Sequence, residues 1–222
     1  MSYIIITKKI WDNNNFKNLK KNIILLKNLK INKIKKINPK IIFFIHWSKY
    51  IPQNIYEKFT CIQFHSSNLP IGRGGSPIQN QIIQKIKKTK VSAFKVSNIL
   101  DSGPICLKEN LHLNGNAKSI LMRMEKTSVK MIKKLIKKKK INFKKQVGKP
   151  TYFKRRKPSD SRIKLYDVHT INDFYDLLRM LDAPEYPKAF IKLKKFNFTF
   201  SDIKKRGNKI IAQIEIKKNE TQ

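Results

Sequence analysis

Apolar residues in the first half of the chain come in short unbroken runs set apart by polar stretches. Tyr3–Thr7 reads as a buried strand, Ile23–Leu26 as a second, Ile41–Ile45 as a third and residues 60–64 as a fourth. Between them Ile31–Ile37 has helical spacing, Pro39 punctuates, and residues 52–59 make a short helix. Unbroken apolar strands separated by helices predict an α/β fold, a parallel sheet covered on both faces. In such sheets ligands bind beyond the carboxyl ends of the strands, which favours the residues just after Ile45 and Phe64.

Residues 65–77 form a loop with three glycines and two prolines, and residues 77–88 carry Ile78, Ile82, Ile83 and Ile86 on one helical face. Residues 91–97 are strand-like, and residues 100–105 are a turn feeding another short strand. Residues 117–140 have the spacing of a long amphipathic helix, through Ile120, Leu121, Met124, Met131 and Leu135. Lysines at its carboxyl end suit the helix dipole. Gly148 and Pro150 then break the chain. Beyond them come an extended basic stretch at 152–158, a helix capped by Thr170, and three strand-like pieces at 189–193, 196–200 and 210–216. The expected division is a main domain over residues 1–148 and a small α+β appendage over residues 149–222.

The 222 residues are 40% hydrophobic, enough for a real core. No apolar run approaches the roughly 18–20 residues of a membrane span, and the first residues lack the flanks of a signal peptide. Cys61 and Cys106 make no CxxC and no disulfide framework, which points to a reducing, cytoplasmic setting. The net charge of +36 suggests a polyanionic partner, but Lys, Ile and Asn are all in excess, as A/T-rich codon usage would make them. Both explanations stand for the charge as a whole. Residues 130–157, with fourteen basic residues and no acid, exceed that background; there the readings are a solvated helix end or nucleic-acid contact.

His65 follows an apolar strand and opens the glycine-rich loop, and Asp101 opens a second strand-end turn. In a parallel sheet both can project into one crevice, where a carboxylate orients an imidazole; the alternative is two ordinary loop residues. His46, beside Trp47 at another strand end, can line the same crevice. His112 and His169 read as structural, and no spacing suggests a metal site. There is no GxGxxG and no Walker-type loop, so ordinary dinucleotide or nucleotide binding has no support.

Gln63-Phe-His65-Ser-Ser67-Asn-Leu69-Pro70, with Gly72-Arg-Gly74-Gly-Ser-Pro77-Ile-Gln79, resembles the signature of the 10-formyltetrahydrofolate-dependent formyltransferases, Asn-x-His-x-Ser-Leu-Leu-Pro followed by a glycine-rich loop and Pro-Ile. Leu100-Asp101-Ser-Gly103 resembles that family's downstream Leu-Asp-x-Gly turn, and His46-Trp47-Ser-Lys-Tyr-Ile51-Pro52 its folate-side loop. Pro158-Ser-Asp160-Ser-Arg162 and Tyr186-Pro187-Lys-Ala189-Phe190 are similar to the small region after the catalytic domain. The resemblance implies a Rossmann-like formyltransferase sheet flanked by helices, with 1–148 as catalytic domain, and 10-formyltetrahydrofolate as co-substrate. It implies that a primary amine attacks the formyl carbon, that His65 stabilises the tetrahedral oxyanion, and that Asp101 orients the imidazole and helps remove the amine proton. Gln63 stands where the family has an Asn donor to the oxyanion, one methylene longer, and Asn68 is a second amide nearby. Trp47, Ile51, Leu100 and Asp101 are the implied folate contacts. Arg73, Gly74 and Gly75 are the implied acceptor contacts, with Arg73 suited to an anionic acceptor.

Two departures bear on the acceptor. Residues 8–40 are compressed and lack a glycine-rich first loop, and the C-terminal part is short for the β-barrel that methionyl-tRNA formyltransferases add. The short C-terminal part favours a nucleotide-linked amino sugar. The basic stretch at 130–157 favours the alternative, methionyl-tRNA. A third reading is a non-catalytic basic nucleic-acid-binding module on the same fold.

Overall fold

A computed structural model describes residues 1–17 and 19–218; the last four residues of the expected appendage lie outside the described residues. The strands are β1 (Tyr3–Thr7), β2 (Ile23–Leu26), β3 (Ile41–Ile45), β4 (Thr60–His65), β5 (Arg73–Gly74), β6 (Lys88–Lys95), β7 (Ile105–His112), β8 (Tyr152–Phe153), β9 (Phe190–Lys192), β10 (Phe196–Arg206) and β11 (Lys209–Lys218). The helices are α1 (Ile31–Ile37), α2 (Gln53–Tyr56), α3 (Pro77–Ile83), α4 (Ala117–Ile136) and α5 (Ile171–Arg179). The chain divides into two compact units. One comprises residues 1–77, 88–112 and 121–154, the other 78–87, 113–120 and 155–222.

The first unit is built on a six-stranded sheet of order β2-β1-β3-β4-β6-β7. β1 and β3 are buried at every position, which is why their sequences are unbroken apolar runs rather than alternating ones. Ile4, Ile6, Ile42, Phe44 and Cys61 pack on one face with Ile34 of α1 and Ile55 of α2. On the other face the Tyr3, Phe43 and Phe64 rings pack in sequence as tilted pairs, with centroids 6.4 and 6.3 Å apart. Each of these side chains contributes about 1.5–3 kcal/mol of burial.

The parallel sheet foreseen from the sequence holds for β1 to β4 only. β6 runs antiparallel to β4, and β7 antiparallel to β6. The connection from β6 to β7 is residues 96–104, shorter than the dozen or so residues a parallel crossover needs. α3 is also shorter than the isoleucine spacing suggested, because Lys85 takes a left-handed φ of 62° and ends the helical path.

In the second unit Thr170 and Asp173 form a capping box that starts α5. Phe174 meets Phe200 edge-on at 6.2 Å, seating the helix on an antiparallel sheet of order β11-β10-β9. Arg179 donates to the carbonyls of Leu113 and Gly115 at 2.6 and 2.7 Å and pairs with Asp176 at 2.6 Å.

Candidate active site

β4 carries His65 to the carboxyl edge of the sheet, with Gln63 two residues earlier on the same face of the strand. Just beyond, the chain folds back. His65 Nε2 lies 2.8 Å from the Gly72 carbonyl, which also accepts the Ser67 hydroxyl at 3.1 Å. Ser92 on β6 donates to the Ser67 carbonyl at 2.7 Å and accepts the Leu69 amide at 3.3 Å. Lys108 on β7 ties the Leu69 carbonyl and the Asn68 side chain at 2.5 and 2.7 Å. The segment after β4 is thereby fixed from two neighbouring strands.

Asp101 is buried in a left-handed turn, φ 51°. Its Oδ2 lies 3.6 Å from His65 Nδ1, an ion-pair distance rather than a hydrogen bond, and accepts the Gly74 amide at 2.8 Å. Both groups facing the imidazole, a carbonyl and a carboxylate, are hydrogen-bond acceptors.

The third component lies far along the chain. Residues 144–153 run as a strap across the loop and the turn. Lys144 exchanges backbone hydrogen bonds with Ile105 at 2.8 and 2.9 Å. Gln146 donates to the carbonyls of Asp101 and Gly103 at 2.8 and 2.9 Å, and its Oε1 accepts from Arg73 at 2.8 and 3.2 Å. Thr151 Oγ1 accepts the Gly72 amide at 2.8 Å, and β8 pairs in parallel with β5. The glycines of the loop answer to this strap. A Cβ on Gly72 (φ 73°) would stand 2.3 Å from the Phe153 ring, and one on Gly74 (φ 97°) 2.5 Å from the Phe153 carbonyl oxygen. The Phe153 side chain at Gly72 and the Phe153 backbone at Gly74 occupy the space a Cβ would fill.

The structure therefore brings together Gln63, His65, Arg73, Gly74, Gly75 and Asp101. Gly75 donates to the Phe153 carbonyl at 2.9 Å. Arg73 is held by Gln146 and by the Tyr152 hydroxyl at 3.3 Å. Gln63 donates to the Trp47 carbonyl at 3.2 Å, so one of its amide protons is already engaged. Trp47 and Ile51 lie in the core cluster, which leaves the Trp47 backbone rather than its ring on the site side. Leu100 is exposed, at 64%. His46, φ 50°, meets Trp11 edge-on at 6.2 Å, and burial pushes its imidazole down to about 4. Nearby, the loop after β1 closes on Glu125 of α4, whose buried carboxylate accepts the amides of Trp11 and Asp12 and the Asn15 side chain at 2.9, 3.0 and 2.8 Å. Sequence reasoning missed Gln146, Thr151, Ser92, Lys108 and Glu125. None sits in a motif, and each acts through a contact distant in sequence.

The family described as methionyl-tRNA formyltransferase, C-terminal domain, matches residues 158–217. A solved methionyl-tRNA formyltransferase from Clostridium thermocellum is 43% identical, covers 99% of this chain and 100% of its own, and superposes with a TM-score of 0.91. The chain belongs to the methionyl-tRNA formyltransferase family. A curated member from Thermodesulfovibrio yellowstonii is 33% identical over 140 residues, 60% of this chain and 46% of that protein. The chain thus spans less than half the length of that curated relative. HypX from Aquifex aeolicus in complex with tetrahydrofolic acid shares the fold, with a TM-score of 0.75 at 13% identity over 94% of this chain and 40% of that one. These relatives reverse the order of acceptors read from the sequence. The 33% and 43% identical proteins are both methionyl-tRNA formyltransferases, which favours the alternative acceptor over the amino sugar. Among the described residues no helix is long and apolar enough to cross a membrane, and no group of three His, Cys, Asp or Glu could hold a metal ion.

Proposed function

We propose that this chain transfers the formyl group of 10-formyltetrahydrofolate to the α-amino group of methionyl-tRNA. The observation that carries the reading is the buried His65–Asp101 pair under a strap that bears exposed Lys144, Lys145 and Lys149, with exposed Lys154 just after it. It sets an acid–base pair beside a run of phosphate-binding charge. The amine nitrogen attacks the formyl carbon and a tetrahedral oxyanion forms. His65, turning its Nε2–H from the Gly72 carbonyl, donates to that oxyanion, and the second Gln63 amide proton adds a donor. Asp101 takes up the proton the amine loses. Collapse breaks the bond from the formyl carbon to folate N10, and the proton taken up by Asp101 passes to N10 as it leaves, which restores the carboxylate. Trp47, Ile51 and Leu100 lie on the folate side, and Arg73 with Gly74 and Gly75 on the acceptor side.

The test is transfer from 10-formyltetrahydrofolate by the purified chain, offered methionyl-tRNA and, separately, nucleotide-linked amino sugars, with products followed by mass. The expected result is formylmethionyl-tRNA, with the rate reduced at least about 100-fold by His65→Ala. Transfer to the sugar alone, or transfer that survives His65→Ala, refutes the acceptor or the catalytic assignment respectively.

A further inference from the structure

Gln146 is half-buried and uses its whole side-chain amide between two parts of the site. The NH2 donates to the carbonyls of Asp101 and Gly103, and the oxygen accepts both Nε and a terminal nitrogen of Arg73. The orientation is fixed by its partners, since a flipped amide would face two carbonyl oxygens with an oxygen and a guanidinium with an NH2. One side chain thus bridges the Asp101 turn and the glycine loop.

The turn needs such a brace. Asp101 sits at φ 51°, a conformation an aspartate holds only when its surroundings impose it. Gly103 is pressed so close to β6 that a Cβ there would stand 1.7 Å from the Lys95 carbonyl oxygen. Binding both turn carbonyls from one amide fixes the peptide planes that follow Asp101 and Gly103, and so the path of the chain out of the Asp101 turn. That in turn fixes the carboxylate against His65 Nδ1 and the Gly74 amide.

We infer that Gln146 is a positioning residue for formyl transfer, which sets Asp101 against His65 and links it to the seat of Arg73. The inference rests on the proposed formyl-transfer reading. It assigns Gln146 no contact with the reacting atoms. An acceptor that engages Arg73 pulls on the same amide that holds Asp101, so acceptor binding and the placement of the carboxylate are coupled through one side chain.

The experiment uses the full chain with Gln146→Ala, Gln146→Glu and Asp101→Asn, singly and combined. Gln146→Ala is expected to lower kcat at least tenfold and to raise KM for methionyl-tRNA, with KM for the folate within twofold. Gln146→Glu keeps an acceptor for Arg73 but has no donors for the turn, so kcat falls while the methionyl-tRNA KM stays within threefold. In the Asp101→Asn background the kcat effect of Gln146→Ala shrinks below twofold, because the group it positions is already disabled. A residue that only stabilised the fold would lower the residual rate equally in both backgrounds, and that result overturns the inference. Amide exchange at Gly74, read by NMR, should accelerate at least tenfold in Gln146→Ala while Ala93 on β6 is unchanged; no acceleration also overturns it. Should the wild-type chain transfer no formyl group, the functional reading falls, and the Gly74 exchange still decides whether Gln146 places Asp101.

Discussion

Gly74→Ala tests whether the strap, and not only the His65–Asp101 pair, makes the site. The new Cβ would stand 2.5 Å from the Phe153 carbonyl oxygen, which also accepts the Gly75 amide at 2.9 Å. An ordinary contact is about 3.5 Å, so loop and strap must part by about 1 Å. That opening takes the Gly75 hydrogen bond beyond useful reach, a loss of about 1 kcal/mol. An alanine at a φ of 97° adds about 1–2 kcal/mol of backbone strain. The total, about 2–3 kcal/mol, exceeds what one two-residue strand pair contributes, so β5 and β8 should separate while the six-stranded sheet survives. The Gly74 amide then leaves the Asp101 carboxylate, and displacement on the scale of 1 Å costs up to about 100-fold in rate. Single-turnover formyl transfer is expected to fall about 30–100-fold with the far-ultraviolet spectrum unchanged. Gly207→Ala is the control. It lies at φ 54° with nothing within 4 Å of its Cβ, so it carries the backbone strain without the clash, and its transfer rate should stay within twofold. A Gly74→Ala rate within threefold of wild type would refute the strap's part in the site.

Two further perturbations separate local causes from global ones. Replacing Lys144, Lys145, Lys149 and Lys154 by alanine should flatten the salt dependence of methionyl-tRNA binding by about 0.7–0.9 in log–log slope for each phosphate no longer neutralised. Removing exposed Lys33, Lys35 and Lys36 of α1 should leave it unchanged; equal effects from both sets would mean that the strap charge does not engage the tRNA specifically. On the other unit, hydrogen bonds from Lys85 and then Thr170 hold Asp173 down to about 2 from an ordinary 3.8. The folded chain therefore binds this proton less tightly than the unfolded one. The stabilisation is complete above about pH 4 and is lost as pH falls towards 2. Asp173→Asn should lower the thermal midpoint at pH 6, and the gap to wild type should close between pH 4 and 2; a gap independent of pH would refute this account of the cap.

What the sequence made legible is what depends on neighbours in the chain. β1 and β3 were readable because burial on both faces demands unbroken apolar runs, and the start of α5 because a capping box lies within four residues. His65, Asp101 and the glycine loop stood out as punctuation at strand ends. The antiparallel run of β6 and β7 was not legible as periodicity, since both directions bury the same faces; only the length of the 96–104 connection decides it. Gln146 and Thr151 gave no local signal at all. Their roles arise from hydrogen bonds to residues more than forty positions away, and a glutamine or threonine in a basic, broken stretch looks like any solvated loop residue.

The same contrast bears on how the excess charge should be read. Fifty lysines and arginines spread over a chain reflect composition as readily as function, and lysines on α1 could multiply without touching any chemistry. Charge acquires a role where backbone contacts hold it in place. Residues 144–153 are pinned through Lys144 to Ile105, through Gln146 to the Asp101 turn, and through Thr151 and Phe153 to the loop that faces His65. Glycines with no room for a Cβ make that pinning close. A cation on this segment is therefore positioned relative to the imidazole, whereas one on α1 is merely attached to the same chain. On the proposed reading the strap, rather than the net charge, is what a polyanionic acceptor would engage. A polyanion that laid its phosphates along the strap would bring its terminal amine to the edge where β4 ends.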